Sequence, residues 1–402
     1  MFCRSVALST SLDLTNVCGE NGMLFEREGI GYASRGVLSE VGEHEISQSL
    51  SNIINLTPEF DSPVAFAAVP FLPQQESTFY VPEFLVSRHP DGSLTATVIA
   101  STEAEASTVR LQQFVDTSVR AASPPASSNS FCVRPLSPID EYLATVTRAR
   151  DSVRSGQLHK VVIARDIEVV AEQPINTHSV MQRLKASFAT SYRFSVSNLI
   201  GASPELLVEV SGRVVRSHPL AGTAPRTGDP DTDAALATEL IASTKNQVEH
   251  RLVIDMVRDT LLPYCSYLDW EAEPSIVTVA NVQHLGTAIE GALTEPTPPV
   301  MTLVRALCPT PALGGHPGVD AIRFIQENEP FERGLYGGAV GVLDKNGNGT
   351  FAVAIRCAEF SADKRRARLF AGGGIVGESD PVAELAETQA KFQAMLSAIV
   401  RP

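Results

Sequence analysis

The sequence predicts an α+β fold in which antiparallel β-sheets pack around a core and helices lie outside. Two observations support this prediction. Strand-like segments come in consecutive runs instead of alternating strictly with helices, and 44% of the 402 residues are hydrophobic, which is ample for a sizeable core. A chain of this length could also form two or three average domains, but we find no internal repeat.

Residues 1–120 are predicted to form a variable N-terminal part of the same α+β unit. Strand-like segments at 62–72, 78–87 and 94–101 are separated by glycine and proline. Residues 121–138 are rich in proline, serine and alanine, so they are predicted to form a loop or linker. The remaining residues, 139–402, carry most of the unusual polar placements and are predicted to hold the chemistry.

After the linker, helical and strand-like patterns follow one another in short runs. The last helix has a clear start, with Asp380 as N-cap and Pro381 at the first helical position. The other predicted elements are a helix over 140–156, a strand over 159–172, a helix over 177–188, a strand pair at 193–201 and 205–217, helices within 231–263, and strands at 276–283, 339–343, 350–359 and 366–371.

Charge and cysteine usage exclude several classes of protein. The formal net charge of -14 argues against a nucleic acid or an anionic membrane as partner. An anionic substrate would therefore need a locally positive pocket or a bound cation. The six cysteines form no CxxC pair, which favours a reducing, cytoplasmic location. Neither a signal peptide nor a membrane span is predicted.

Three polar residues lie in apolar surroundings. Glu249 falls on or beside the predicted apolar stripe of a helix over 245–262, where it must be bonded to a neighbouring basic group, protonated or held by a metal. Glu205 is either a turn residue after Pro204 or a carboxyl of raised pKa that can serve as a general acid. Lys160 is either a strand-end lysine that reaches solvent or a desolvated base.

Two further features are weak signals on their own. Glycine-containing turns at 218–226 and 370–381 allow backbone N–H groups to approach an anion. Glu384, Glu387 and Lys391 fall at i, i+3 and i+7 of the last helix, so they share one face. That face is either a solvated edge with an i,i+4 ion pair or part of a site.

Taken together, ten short motifs resemble the chorismate-utilising enzymes, the superfamily of isochorismate, salicylate, anthranilate and aminodeoxychorismate synthases. They run in the family's order and cover about residues 140–400, whereas residues 1–120 match only loosely. The motifs are KVVIAR (160–165), SPELL (203–207), PLAGTAPR (219–226), EHRLV (249–253), VQHLGT (282–287), PTPALGG (309–315), ERGLYGGAVG (332–341), AVAIRCAE (352–359), AGGGIV (371–376) and ELAETQAK (384–391). The resemblance makes 139–402 the chorismate-binding catalytic region.

The resemblance implies a Mg²⁺-dependent attack on chorismate, with loss of the hydroxyl group on the fourth ring carbon. It implies that Lys160 activates water and that Glu205 protonates the leaving hydroxyl. Glu249 and Glu387 would be direct metal ligands, with Glu384 acting through water. The residues implied to contact substrate are Gly222, Thr223, His284, Ala312, Leu313, Tyr336, Arg356, Gly372, Gly374 and Lys391.

Within the family, Lys160 resembles the water-using members. Lysine-nucleophile aminodeoxychorismate synthases show PIKGT where this chain has PLAGT. The nucleophilic lysine is replaced by Ala221, so a covalent intermediate cannot form there. No glutamine amidotransferase subunit is expected. Ala312 and Leu313 resemble isochorismate synthases. Thr223 occurs in several branches and leaves salicylate synthase as the alternative, while a non-catalytic relative that binds an anion or metal is less favoured. We expect a monomer, whose product could enter siderophore or menaquinone biosynthesis.

Overall fold

A computed structural model describes residues 1–120, 129–279 and 282–401. Its strands are β1 Phe2–Leu8, β2 Leu24–Arg27, β3 Ile30–Gly42, β4 Ile54–Asn55, β5 Ala65–Val69, β6 Thr78–Arg88, β7 Leu94–Ala100, β8 Phe131–Pro135, β9 Lys160–Ala171, β10 Tyr192–Val196, β11 Leu199–Ser203, β12 Leu206–Ser211, β13 Val214–His218, β14 Leu220–Pro225, β15 Cys265–Trp270, β16 Ser275–Val279, β17 Val282–Gly286, β18 Ile289–Leu293, β19 Gly315–His316, β20 Ala339–Leu343, β21 Gly349–Val353, β22 Cys357–Phe360 and β23 Arg366–Ile375.

The helices lie mainly on the outside of this β-structure. They are α1 Leu14–Cys18, α2 Glu43–Ser51, α3 Thr108–Arg120, α4 Ile139–Arg154, α5 Thr177–Ser187, α6 Pro230–Ala242, α7 Thr244–Leu261, α8 Val300–Leu307, α9 Gly318–Asn328 and α10 Pro381–Val400. None of the helices in the described ranges is long and apolar enough to cross a membrane. The prediction of an α+β fold with antiparallel sheets is confirmed.

Twenty of the strands are joined into one sheet system by ladder hydrogen bonds. Pairing runs β8–β9–β23–β22–β11–β10–β2–β3–β6, and from β6 it continues both as β7–β1–β4 and as β5–β20–β21–β12–β13–β18–β15. The twentieth strand, β19, pairs with the start of β9. Strands β14, β17 and β16 form a separate three-stranded sheet. The segments before and after the predicted linker therefore share one sheet.

Strand β9 is central to the molecule because it packs against both of its large hydrophobic clusters. Val161 and Ile163 belong to the first cluster, whereas Ile167 and Val169 belong to the second, which also contains residues of α5 and α10. A strand buried on both faces usually has a nearly continuous apolar sequence. A polar residue within β9 is therefore unexpected and indicates a specific partner or a functional role.

Several details differ from the sequence-based predictions. The segment 121–138 is not all loop, because Phe131–Pro135 forms β8 against β9, while residues 121–128 lie outside the described residues. The single strand predicted over 276–283 is instead β16 and β17. The strand predicted over 350–359 is divided into β21 and β22 at Arg356, whose φ of +51° is in the left-handed region.

Candidate active site

All of the candidate catalytic, substrate-binding and metal-binding residues named above line one cavity of about 220 Å³. They come from β9, β14, β17, β23, α7 and α10, and from the connections that carry residues 205, 312–313, 336 and 356. The structure thus brings together residues that are far apart in the sequence, while their individual roles stay predictions.

Lys160 is the first residue of β9 and is buried, with 1% of its surface exposed. Its Nζ donates to Glu249 Oε1 at 2.7 Å. A buried ammonium needs such a counter-charge, because an unpaired charge in an apolar interior is costly. Of the two alternatives for Lys160, the structure therefore favours the desolvated lysine over one that reaches solvent.

Glu249 reaches this position from the first half of α7. The helix buries His250, Val253, Ile254, Val257 and Leu261. Hydrophobicity alone predicts a stripe formed by Val248, Leu252, Val253, Met256 and Val257. This prediction was wrong at Val248, which is 58% exposed, because the buried face is turned by about one residue from that stripe. Glu249 lies beside the true buried face and points its carboxylate to Lys160.

Strand β23 passes beside the Lys160–Glu249 pair at Gly374. A Cβ atom at residue 374 would lie 2.7 Å from Lys160 Cε and 3.0 Å from Glu249 Oε1. These separations are too short for a carbon side chain unless the pair moves, so glycine at this position makes room for the pair.

Glu205 is the second buried candidate and is 3% exposed. Burial raises its pKa to about 8, although the Leu220 N–H group and the charges of Lys160 and Arg356 act in the opposite direction. The Leu220 N–H···Oε1 distance is long, at 3.5 Å. The carboxyl is therefore mostly neutral at neutral pH, which is the form that can donate a proton.

His284 and Arg356 form a neighbouring polar pair in the cavity. Arg356 Nη2 lies 3.3 Å from His284 Nε2, and a guanidinium can only donate, so Nε2 is the acceptor. The ring proton is then on Nδ1, which lies 3.2 Å from the Gly222 carbonyl and 3.1 Å from Thr223 Oγ1. Burial and the nearby cations Arg356 and Lys391 lower the pKa of His284 to about 3, so the ring is neutral.

Helix α10 contributes two carboxylates and an ammonium to the cavity. Its N-cap is confirmed, since the Asp380 side chain accepts from the Val382 and Ala383 N–H groups. Glu387 and Lys391 form an i,i+4 ion pair at 2.7 Å, and Lys391 also donates to the Gly372 carbonyl at 2.7 Å. The i,i+4 ion pair of the first alternative is therefore present, and its two side chains also line the cavity.

The position of α10 against the sheet is fixed by Arg165, which lies on β9 five residues after Lys160. Arg165 Nε donates to Thr388 Oγ1 at 2.8 Å and Nη2 donates to Gln389 Oε1 at 2.9 Å. Its guanidinium also lies 4.8 Å from the centre of the Phe392 ring. The same strand therefore carries Lys160 and holds the helix that carries Glu387 and Lys391.

The carboxylates of Glu249, Glu384 and Glu387 fit a hard cation in their chemistry, since Mg²⁺ prefers oxygen ligands. Among the described residues, Glu384 Oε2 is buried without a hydrogen-bond partner, and burial together with nearby Glu387 raises the pKa of Glu384. Lys391 lowers the pKa of Glu387. Across the described ranges, however, no three His, Cys, Asp or Glu side chains are grouped to hold a metal. Two of the three carboxylates are directed to lysines instead.

Sequence reasoning missed several residues that line the cavity. Lys245 and Asn246 on α7 are the most important, because Lys245 is a cation facing Glu384 and Glu387. Lys245 stands four residues before Glu249, so helical periodicity was a signal that could have identified it. The other missed lining residues are Val162, Pro204, Leu220, Ile355, Phe370 and Ala371.

Comparison with known proteins gives consistent matches. Residues 38–400 match the sequence model of a family described as "Chorismate binding enzyme". The chain is 45% identical to a Mycobacterium tuberculosis protein that carries the provisional name MenF isochorismate synthase, over 66% of this chain and 74% of the relative. It is 35% identical to isochorismate synthase EntC of Escherichia coli strain K12, over 84% of this chain and 81% of the relative.

A solved structure agrees in fold. The menaquinone-specific isochorismate synthase MenF of Escherichia coli aligns with a TM-score of 0.85, covering 99% of this chain and 94% of that chain. At 23% sequence identity, this similarity concerns the fold alone.

Proposed function

Because the chain belongs to the chorismate binding enzymes, we propose that it is an isochorismate synthase, which adds water at C2 of chorismate and releases the C4 hydroxyl group. The observation that carries the proposal is one cavity lined by a buried lysine, a glutamate of raised pKa and three further cations. These residues are Lys160, Glu205, Lys245, Arg356 and Lys391. A proton acceptor, a proton donor and counter-charges for carboxylates thus surround one volume. The relatives described above carry the same activity in their names.

Glu205 is the proposed general acid. A hydroxyl group leaves poorly as hydroxide, so the C4 group needs a proton as its bond to carbon breaks. A carboxyl with a pKa of about 8 still holds its proton at neutral pH and can transfer it. One water is consumed at C2 and one is released from C4, so the overall reaction is an isomerisation.

Lys160 is the proposed general base that removes a proton from the attacking water. An ammonium has no lone pair to accept a proton, so Lys160 must react as the neutral amine. Because Glu249 holds the ammonium form at 2.7 Å, this role requires Glu249 to turn to another partner. Glu249 is also a predicted metal ligand, and a metal would provide such a partner. The two proposed roles, lysine as base and glutamate as ligand, therefore support each other.

Arg356, Lys391 and Lys245 are the proposed counter-charges for the two carboxylates of chorismate. The planar guanidinium of Arg356 suits a bidentate contact with a carboxylate. Neutral His284 holds the Arg356 side chain in place, because its Nε2 accepts a hydrogen bond from Arg356 Nη2 at 3.3 Å. These cations give a chain of net charge -14 a locally positive surface for a dianion.

We further propose that the enzyme uses Mg²⁺, with Glu249 and Glu387 as direct ligands and Glu384 acting through water. When bound there, the ion would neutralise a substrate carboxylate and help to fix the ring. Support comes from the shared position of the three carboxylates and from the buried, unpartnered Glu384 Oε2 among the described residues.

Product analysis tests the proposed function. The purified chain is incubated with chorismate and Mg²⁺, and the products are separated by chromatography. Isochorismate alone supports the proposal. Salicylate together with pyruvate would instead identify a salicylate synthase, and absence of turnover would indicate a non-catalytic binding protein.

Removing a proposed metal ligand should weaken Mg²⁺ binding. We expect Glu387→Gln to raise the Mg²⁺ concentration for half-maximal activity by at least about 10- to 100-fold, because losses of that size already follow from changing a residue outside the direct ligand set. Calorimetric titration with Mg²⁺ should show the same shift. Glu378→Gln, at an exposed residue just before α10, is the control. Equal Mg²⁺ dependence in both variants would remove Glu387 from the ligand set.

Filling the space at Gly374 should displace the Lys160–Glu249 pair without unfolding the protein. The added methyl group meets the far ends of two flexible side chains, which can move aside. We expect Gly374→Ala to lower kcat about 100-fold, because small misplacements of reacting groups are costly. Gly377→Ala is the control, since its nearest atom would be Arg154 Cγ at 3.7 Å. Similar kcat values for the two variants would contradict the prediction.

A further inference from the structure

A buried ion pair lies behind the cavity wall, and none of the steps above uses it. The side chains of Glu329 and Arg333 are only 1% and 2% exposed. Arg333 Nε donates to Glu329 Oε2 at 2.8 Å, and Nη2 donates to Oε1 at 2.5 Å. Glu329 Oε1 also accepts from the Ala164 N–H group of β9 at 2.7 Å, so the carboxylate is fixed to the sheet.

The remaining donors of Arg333 hold the backbone of two residues whose side chains line the cavity. Nη1 donates to the Leu313 carbonyl at 2.7 Å and Nη2 to the Val162 carbonyl at 2.8 Å. The guanidinium also lies 6.0 Å from the centre of the Tyr336 ring, and the Arg333 carbonyl accepts from the Tyr336 N–H group at 3.0 Å, a main-chain bond that does not depend on the side chain. One residue therefore joins β9, the segment before β19 and the segment before β20, and each of these contributes a cavity residue.

Aromatic rings pack against Arg333 and against the cavity residue Tyr336. The Arg333 guanidinium lies 4.5 Å from the centre of the buried Phe71 ring, and the Tyr336 ring stacks on Phe370 with centroids 5.1 Å apart. A buried ion pair is not by itself a source of stability, because an apolar pair of similar volume often serves as well. The hydrogen bonds from Arg333 to the Leu313 and Val162 carbonyls indicate that this pair positions the cavity wall.

We propose that Arg333, held by Glu329, is a positioning residue that fixes the wall formed by Val162, Leu313 and Tyr336, and so seats the chorismate ring against Lys160 and Glu205. This inference rests on the proposed function. Arg333 is not among the residues that line the cavity, so it acts through the wall. Wall contacts are made in the ground state and the transition state alike, and their loss raises KM more than it lowers kcat.

Arg333→Lys is the direct test. Lysine keeps a charge for Glu329, but its single nitrogen cannot reach both carbonyls and the carboxylate in the same geometry. We expect KM for chorismate to rise about tenfold, equivalent to roughly 1.4 kcal/mol of binding, with a much smaller change in kcat. A purely structural role would lower the melting temperature and the active fraction, which reduces apparent kcat and leaves KM unchanged.

The matched control is a second deeply buried arginine–glutamate pair among the described residues, Arg193 with Glu26. Their side chains are 1% and 3% exposed and line no part of the catalytic cavity. Arg193→Lys should lower the melting temperature without raising KM. If Arg333→Lys fails to fold, the double variant Glu329→Leu with Arg333→Met removes both charges and is expected to show the same rise in KM.

The outcomes separate this inference from the proposed function. An inactive wild-type chain would overturn the proposed function. An active wild type with equal KM values in the Arg333 and Arg193 variants would overturn the positioning role alone.

Discussion

Replacing Lys160 with alanine is expected to lower kcat for chorismate about 10²- to 10⁴-fold, the range that a positioned proton-transfer group contributes. The cations proposed to hold the carboxylates, Arg356 and Lys391, remain in place, so chorismate binding should survive. Rates are measured by chromatographic product analysis, and binding by calorimetry in the presence of Mg²⁺. Retained turnover would remove Lys160 from the role of base.

Lys160→Ala also leaves Glu249 without its counter-charge, which needs its own control. Lys160→Met fills the space of the lysine stem, and Lys160→Ala combined with Glu249→Gln removes the unpaired carboxylate. All three variants should be inactive if proton acceptance is what is lost. The double variant also lacks a proposed metal ligand, so only recovery of its activity is informative. Recovery of activity in the double variant would show that the unpaired Glu249 charge, and not the missing base, caused the defect.

Glu205→Gln is expected to lower kcat by a similar factor of about 10²- to 10⁴-fold, because glutamine cannot donate the proton. The wild-type rate should fall as pH rises through about 8, where Glu205 loses its proton. Glu209→Gln on β12 is the control, since that side chain pairs with Arg216 outside the catalytic cavity. An unchanged kcat in Glu205→Gln would exclude Glu205 as the acid.

The same substitution should change stability in a defined direction. The folded-state pKa of Glu205 is about 8, whereas its ordinary value is 4.5, so the folded protein binds this proton more tightly. Its stabilising contribution is complete below pH 4.5 and is lost as pH rises through about 8. Relative to the wild type, Glu205→Gln should therefore gain unfolding free energy between these pH values, as measured by urea unfolding. A constant difference across this range would contradict the burial argument.

The sequence predicted buried strands such as β5, β7 and β9, because their apolar runs are strong signals. It missed β8, since four of its five residues are exposed and an exposed edge strand shows no apolar alternation. The left-handed backbone at Arg356 was equally hidden, because that conformation is imposed by the tertiary structure and not by the preference of arginine.

Individual residues of the candidate site could be named from the sequence because the ten motifs, in the family's order, contain the polar residues that lie in apolar surroundings. How those residues contact one another was not predictable. Lys160 and Glu249 are 89 residues apart, so no local pattern relates them. The role of Arg333 was hidden for a similar reason, because its contacts with Leu313 and Val162 depend on three segments meeting in the folded core.

The attachment of α10 to β9 has a consequence for how activity is acquired. The Arg165–Thr388 bond closes a loop of 223 residues, and contacts of such long range form slowly because chain entropy must first be lost. Secondary structure can be regained while the cavity still lacks the face that carries Glu387 and Lys391. During refolding from denaturant, catalytic activity should therefore return later than the far-ultraviolet circular dichroism signal.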